Sequence, residues 1–167
     1  MKAKLIIEGK EIEVQIPQEE YEKLIKKKRT GYERATHNNT FYVVNGEGRV
    51  DEWVDINYEV DERLYEKANY YTDKGLAEAN ARADKLMRNL RRFSAERRSA
   101  ELRWGSNTPR KWFIQYDYSV NQMRLVYNIN VKYFGLICFE TEEIGEAAIK
   151  KFHDELIWYF TEYKDSL

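Results

Sequence analysis

Residues 73–98 read DKGLAEANARADKLMRNLRRFSAERR, and this stretch predicts the longest helix of the chain. Asp73 is a favoured N-cap residue, and we expect the helix to run to about Arg98. The apolar side chains recur every three or four residues, which places them on one stripe, and they are Leu76, Ala79, Ala83, Leu86, Leu90 and Phe93. A helix of this kind packs its apolar stripe against another layer, so a sheet is expected beside it.

Strands and one further helix are predicted after the long helix. Residues 105–109 contain a glycine and a proline, which interrupt the helical pattern. Three apolar runs then predict strands at residues 112–116, 123–127 and 135–139. Thr141 is expected to cap a last helix that continues to about Tyr163.

The residues before the long helix predict two hairpins and two shorter helices. Strand-like runs flank a turn at Gly9-Lys10, and Pro17 is expected to start a helix that ends in a basic run before Gly31. Residues 30–40 are polar and are interpreted as a linker. Residues 41–44 and 50–54 predict a second hairpin, and a short helix is expected at residues 61–68.

These elements together predict an α+β fold. We expect an antiparallel sheet that packs against two long helices, with a β-hairpin–helix module at residues 1–30 and a main domain at residues 41–167. Residues 71–79 also resemble residues 139–147: in each, an aromatic residue precedes a capping residue and an amphipathic helix. Duplication and convergence explain this similarity equally well, so it establishes no repeat.

The composition indicates a soluble protein. The chain has 167 residues, of which 43% are hydrophobic, and its formal net charge is −1. Its longest apolar run has seven residues, which is far shorter than the about 20 residues that a membrane-spanning helix needs. A single cysteine and the absence of a signal-peptide pattern at the first residues favour a cytoplasmic location.

Few residues are candidates for catalysis. The two histidines are His37, in the interpreted linker, and His153, and no metal-binding, phosphate-binding or nucleophile motif accompanies them. Cys138 lies in an apolar run and is expected to be buried and unreactive. We therefore expect a non-enzymatic protein with no catalytic residue, no metal site and no cofactor, although paired carboxylates would not be visible in the sequence.

The charges are unevenly distributed along the chain. Residues 81–111 contain ten basic and three acidic side chains, whereas residues 47–66 contain eight acidic and two basic ones. Arginine binds carboxylates and phosphates in a bidentate manner and is enriched at interfaces. The residues predicted to bind a partner are Arg82, Lys85, Arg88, Arg91, Arg92, Arg98, Trp104 and Trp158.

Several partners are compatible with this basic strip. One alternative is a protein partner, and a second is a nucleic acid whose bases stack on Trp104 and Trp112. A third alternative is that the basic residues pair with the protein's own acidic segment, residues 47–66. The last predicted helix carries more apolar residues than one stripe requires, and Trp158 is among them. That helix is therefore either a surface for self-association or a central helix that is covered on two sides.

The chain resembles small uncharacterised accessory proteins of Firmicutes phages and prophages over roughly residues 32–167. The residues that carry the resemblance are Tyr71-Thr72-Asp73, Leu90-Arg91-Arg92-Phe93, Trp112 to Tyr116, Phe139-Glu140-Thr141-Glu142-Glu143 and Phe152-His153-Asp154-Glu155-Leu156. Such accessory proteins include inhibitors of bacterial defence, among them anti-CRISPR proteins. The resemblance implies a binding protein that blocks a host defence component, specifically a CRISPR effector nuclease. The alternatives are a nucleic-acid-binding accessory protein of phage replication or recombination, and a sponge for a signalling nucleotide.

Overall fold

The computed structural model describes residues 2–7, 10–15, 17, 19, 30–105 and 108–163, and the chain is an α+β protein, as predicted. The elements in chain order are β1 Lys2–Ile7, β2 Lys10–Gln15, β3 Thr40–Val44, β4 Val50–Val54, α1 Glu59–Glu66, α2 Lys74–Arg97, β5 Lys111–Asp117, β6 Gln122–Asn128, α3 Glu142–Lys151 and α4 His153–Thr161. No helix within these described ranges is long and apolar enough to cross a membrane.

The described strands form three separate antiparallel pairs instead of the one sheet expected. These are β1–β2, β3–β4 and β5–β6, and the three pairs share no strand. The pair β1–β2 lies where the first hairpin was predicted, but Lys10 belongs to β2 and pairs with Ile7, so it is not a turn residue as expected, and Gly9 lies outside the described residues. The helix expected from Pro17, with its basic run Lys26-Lys27-Lys28-Arg29, also lies outside them.

The long helix α2 forms where its sequence predicts it. The side chain of Asp73 accepts a hydrogen bond from the backbone N–H of Leu76 at 2.7 Å, which satisfies a free donor of the first turn. Leu86, Leu90 and Phe93 on its apolar stripe are buried in the main core. The other buried members of that core are Phe139, Ala148 and Leu156. The helix α2 therefore packs against α3, α4 and Phe139, which lies shortly before α3.

The C-terminal helix is divided in two, and the prediction of one continuous helix was wrong. Phe152 has φ −111° and ψ 21°, which lies outside the helical region and separates α3 from α4. Its ring packs edge-on against Phe93 with the ring centres 5.6 Å apart. Residues around this break lie against the core, so tertiary packing of the aromatic ring accompanies the change of helix direction.

Residues 135–139 do not form the predicted third strand. Phe139 exchanges two backbone hydrogen bonds with Trp112, of 2.7 and 2.9 Å, but the pairing stops there. Gly135 has φ +74°, a left-handed conformation that glycine adopts without strain, and it lies in a turn after Phe134. Among the described residues of this run, Phe139 alone pairs with β5.

Two parts of the chain share one topology. In the first unit, residues 40–97, Tyr42 of β3 pairs with Tyr71, which is followed by a capped helix. In the second unit, residues 111–161, Trp112 of β5 pairs with Phe139, which is followed by the Thr141 cap and α3. The similarity between residues 71–79 and 139–147 therefore extends to a hairpin, a bridging residue and a helix in the same order.

Residues 31–40 pack on the first unit, in contrast to their interpretation as a linker. Gly31 is buried, and its carbonyl accepts a hydrogen bond of 2.7 Å from Thr72. The backbone N–H of Ala35 donates to the hydroxyl of Tyr70 at 3.1 Å. These contacts connect the segment to residues 70–72, which lead into α2.

Candidate functional site

Four basic side chains form an exposed surface on α2, which we call the basic face. Lys85, Arg88 and Arg92 follow one another at spacings of three and four residues and so share one side of the helix. Arg91 borders them, and all four residues are exposed. The basic face spans about two turns and lies away from the buried stripe of Leu86, Leu90 and Phe93, as the sequence predicted.

Most of the charge on the basic face is not neutralised by ion pairs within the part of the chain that the structure describes. Lys85, Arg88 and Arg91 form no ion pair with any of the described residues. Arg92 has Glu96 at 3.9 Å, which is a weak, exposed pair, and it donates to Asn89 at 3.2 Å. Like charges that lie this close repel each other, so an anionic partner would lower their electrostatic energy.

The acidic segment, residues 47–66, has its own partners. Arg34 pairs with Asp55 at 2.6 Å and with Glu62 at 2.5 Å, and Arg63 lies 3.9 Å from Glu59. Among the residues that the structure describes, none of these ion pairs reaches the basic face. The interpretation that the two charged segments neutralise each other therefore receives no support from the observed contacts.

Arg88 also borders a polar cleft of about 620 Å³ beside the turn between β3 and β4. The Nη2 atom of Arg88 is 4.0 Å from the place that a Cβ at Gly48 would occupy, so the turn and the helix approach closely here. Lys67 and Asn69 line the same cleft from the end of α1, and Asp84 lines it from α2.

Arg82 and Trp158 contact each other, and we assign them to the α2–α4 interface rather than to the basic face. The guanidinium of Arg82 donates to both carboxylate oxygens of Glu155, at 2.8 and 3.2 Å. The same guanidinium lies over the ring of Trp158, with its carbon 4.0 Å from the ring centre. This contact could not be predicted from the sequence, because Glu155 lies 73 residues along the chain from Arg82.

We expect Arg82→Ala to lower the free energy of unfolding by about 1 kcal/mol, because it removes a bidentate ion pair and a cation–π contact that are both partly exposed. Urea unfolding followed by circular dichroism measures the change. The matched control is Arg92→Ala, whose ion pair is longer, and its loss should stay within about 0.5 kcal/mol. Equal losses for the two variants would contradict the assignment of Arg82 to the α2–α4 interface.

The remaining two predicted binding residues, Arg98 and Trp104, contact other residues than those of the basic face. Arg98 is the exposed C-cap residue of α2, where its backbone N–H donates to the Ser94 carbonyl. Trp104 is half-buried, with the Lys111 ammonium 5.1 Å from its ring centre. Lys111 is 1% exposed and donates to Thr108, so Trp104 helps to cover a buried cation.

An apolar pocket that the sequence did not reveal lies between α2, α4, the middle of β5 and residues 134–139. Its volume is about 220 Å³, and the residues that line it include Met87, Leu90, Ile114, Leu136, Ile137 and Tyr159. Phe134 lies at the pocket and is fully exposed to solvent. The sequence predicted a strand at residues 135–139, and a strand paired with β5 there would have closed the pocket.

The structure describes the surroundings of both histidines and of Cys138. His153 lies 3.0 Å from the fully exposed carboxylate of Asp154, and His37 contacts Asn57 at 3.1 Å. Burial raises the pKa of the Cys138 thiol, which disfavours the thiolate. Within the described part of the chain, no group of three or more His, Cys, Asp or Glu side chains is placed to hold a metal ion.

In comparisons with known proteins, no family model, no curated protein and no solved structure matched the chain.

Proposed function

We propose that the protein acts by stoichiometric binding and that the basic face of α2 is its contact surface. The observation that carries this proposal is that Lys85, Arg88 and Arg91 are exposed and have no ion-pair partner among the described residues. An anionic group that lies against this surface would neutralise its positive potential. Three of the four basic-face residues are arginines, which favours planar acceptors such as carboxylates.

A protein partner is the proposal that these observations favour over a nucleic acid. The whole chain carries a formal net charge of −1, whereas nucleic-acid-binding domains are usually basic. Trp104 contacts Lys111, and Trp112 packs against Tyr127 with the ring centres 5.2 Å apart. Both tryptophans are partly buried and engaged in these contacts, which leaves less ring surface for a base to stack on.

The proposed partner is a bacterial defence protein, specifically a CRISPR effector nuclease, in the cytoplasm of an infected bacterium. The resemblance to phage accessory proteins supports this choice. The acidic segment adds a second argument, because effector nucleases bind their guide and target in a positively charged channel. In this proposal the basic face anchors the inhibitor on an acidic part of the effector, and the acidic segment obstructs the channel.

The triple variant Lys85→Glu, Arg88→Glu, Arg91→Glu is expected to weaken binding to the effector about 100-fold, because it replaces attraction by like-charge repulsion. Phage plating on a host with an active CRISPR system gives the biological readout, and titration with the purified effector gives the Kd. We expect the wild-type protein to restore plating and the triple variant to fail, while both have the same circular dichroism spectrum.

A matched control changes the net charge equally but at a distance from the basic face. It consists of Arg63→Glu, Lys74→Glu and Lys150→Glu, three exposed positions on α1, the start of α2 and α3. We expect this control to bind the effector nearly as well as the wild type. If the two triple variants lose binding equally, net charge explains the effect and the basic face is not the contact.

A single-stranded nucleic acid is the second candidate partner, because the same unpaired cations are able to contact phosphates. Binding to single-stranded DNA would weaken steeply as the salt concentration rises. An absence of DNA binding at low salt removes this candidate, whereas binding that the basic-face triple variant abolishes would replace the protein partner with a nucleic acid.

A further inference from the structure

The outer edge of β4 carries backbone groups that point away from its hairpin. Tyr42 exchanges two backbone hydrogen bonds with Tyr71, of 2.7 and 2.9 Å, so its N–H and C=O point away from β4. Glu52 lies opposite Tyr42 in the antiparallel register, and it therefore points its own N–H and C=O away from β3. These directions alternate along a strand, so Val50 and Val54 point their backbone groups to the same outer side.

This hairpin is open along β4. Among the described residues, no group forms a hydrogen bond with the outward-pointing N–H and C=O groups of β4. The side along β3 is closed, because Tyr71 pairs with Tyr42 there. The side chain of Asn69 donates to the Val44 carbonyl and accepts from the Val44 N–H on the same side, both at 2.9 Å. A row of unpaired N–H and C=O groups such as that of β4 is a template for another strand.

The side chains of β4 make this edge acidic. Glu52 is exposed, and within the described ranges its carboxylate forms no ion pair. The carboxylate of Asp51 accepts a hydrogen bond of 3.0 Å from the neutral amide of Asn45. Trp53 is 40% exposed, although its ring lies beside that of Phe41. Two carboxylates and an accessible indole ring favour a strand that carries cationic side chains.

The corresponding edge of the second unit lacks an uncompensated charge. The strand β6 forms the outer side of its hairpin, since Trp112 of β5 pairs with Phe139 on the other side. The only charged residue in the sequence of β6 is Arg124, and its guanidinium lies 3.1 Å from the Asp117 carboxylate. The edge of β4 is therefore the one whose charge favours a particular kind of partner.

We propose that β4 accepts an extended basic segment of the partner protein, which pairs with the backbone of Glu52 and places a cationic side chain opposite the Glu52 carboxylate. Addition of a strand to a free edge is a common mode of peptide recognition. The site deepens the proposed function and rests on it for the partner, because a positively charged channel offers basic segments to the acidic segment. A second copy of β4 fits less well, because an antiparallel pair centred on Glu52 would place two Glu52 carboxylates directly opposite each other.

The test uses the full chain and the peptide acetyl-Thr-Val-Arg-Lys-Thr-amide, with NMR to follow the amides of β4. In an antiparallel pair whose arginine lies opposite Glu52, the valine lies opposite Trp53 and the lysine opposite Asp51. We expect the peptide to shift the amide signals of Glu52 and Val54 and to slow their hydrogen exchange. The amide of Trp53 points towards β3, so its exchange should change little and serves as the internal control.

Two methylated peptides separate backbone pairing from attraction between charges. The analogue that is N-methylated at its arginine lacks the donor to the Glu52 carbonyl but keeps every side chain, so its Kd should be at least about tenfold higher. The matched analogue is N-methylated at its valine, whose N–H would point away from β4. It should bind nearly as well as the parent peptide.

Two variants of the protein test the role of the Glu52 carboxylate. Glu52→Lys replaces attraction by repulsion and should raise the Kd of the peptide about tenfold. The matched control is Glu66→Lys, which makes the same change of charge at an exposed position on α1, within the acidic segment but outside β4. The control should raise the Kd less than about threefold, because water and salt screen exposed charges that are farther apart.

Four results overturn the proposal: no binding of the peptide, equal binding of the arginine-methylated analogue, equal losses for the two lysine variants, or slow exchange of the Glu52 and Val54 amides in the free protein. The last result would mean that another part of the chain or a second copy already covers β4, and sedimentation distinguishes these two. The proposed function is tested separately, because the basic-face triple variant is assayed with the effector itself and leaves β4 unchanged.

Discussion

The substitution Asp55→Ala is expected to lower the free energy of unfolding by about 3–5 kcal/mol, because it leaves the buried Tyr70 hydroxyl and the partly buried Arg34 guanidinium without their common partner. Asp55 is 0% exposed and accepts hydrogen bonds of 2.6 Å from both the Arg34 guanidinium and the Tyr70 hydroxyl. It also accepts one from the backbone N–H of Asn57 at 2.9 Å. Chemical denaturation at neutral pH measures the loss.

Glu62→Gln is the matched control for this prediction, because Glu62 is the other carboxylate that binds Arg34. Its side chain is 57% exposed, compared with 0% for Asp55, so water compensates for most of the lost interaction. The control should lose less than about 1 kcal/mol. Similar losses in the two variants would show that burial does not control the strength of this network.

The same network predicts how stability depends on pH. The hydrogen bond from Arg34 is the main cause that lowers the pKa of Asp55 from 3.8 to about 2. Since the pKa in the folded state lies below the pKa in the unfolded state, the contribution of the ionised group is complete above about pH 4 and is lost as the pH falls towards about 2. The stability difference between the wild type and Asp55→Ala should therefore narrow across this range.

The second large effect is expected from Phe139→Ala, which should lower the free energy of unfolding by about 3–5 kcal/mol. Phe139 is 1% exposed and belongs to the core formed by α2, α3 and α4. It also lines the apolar pocket, so removal of its ring would enlarge a cavity that already exists. We expect the surrounding side chains to move little into the enlarged space, so the contacts of the lost ring are not replaced.

Phe134→Ala makes the same chemical change only five residues earlier and serves as the control. Phe134 is fully exposed, so its removal should change the stability by no more than about 0.5 kcal/mol. Thermal or urea unfolding of both variants gives the comparison. A large loss for Phe134→Ala, or a small one for Phe139→Ala, would contradict the description of this segment.

The features that depend on neighbouring residues could be predicted from the sequence. The Asp73 cap, the basic face and the later part of the apolar stripe of α2 follow from spacings of three to four residues. The first part of the predicted stripe was wrong, because Leu76 and Ala79 are only partly buried, whereas Ala77 and Ala81 are buried. The hairpins β3–β4 and β5–β6 are also local, because short turns join their strands.

The features that the sequence did not reveal depend on distant residues. The contact between Arg82 and Glu155 joins positions 73 residues apart, and the Arg34–Asp55 pair joins positions 21 residues apart. The break at Phe152 occurs although the apolar pattern continues through it, since the ring packs on Phe93. Residues 135–139 have strand-forming composition, yet among the described residues of this run Phe139 alone pairs with β5.

The separation of the described strands into three pairs also bears on how fast the chain reaches its native state. Each pair closes a loop of only a few residues, and β3–β4 and β5–β6 each dock on a helix of their own unit, α2 and α3 respectively. Short loops lose little entropy when they close, and proteins rich in nearby pairings fold faster than those with distant ones. We therefore expect the hairpins to form early in folding, before the more distant contacts between the helices.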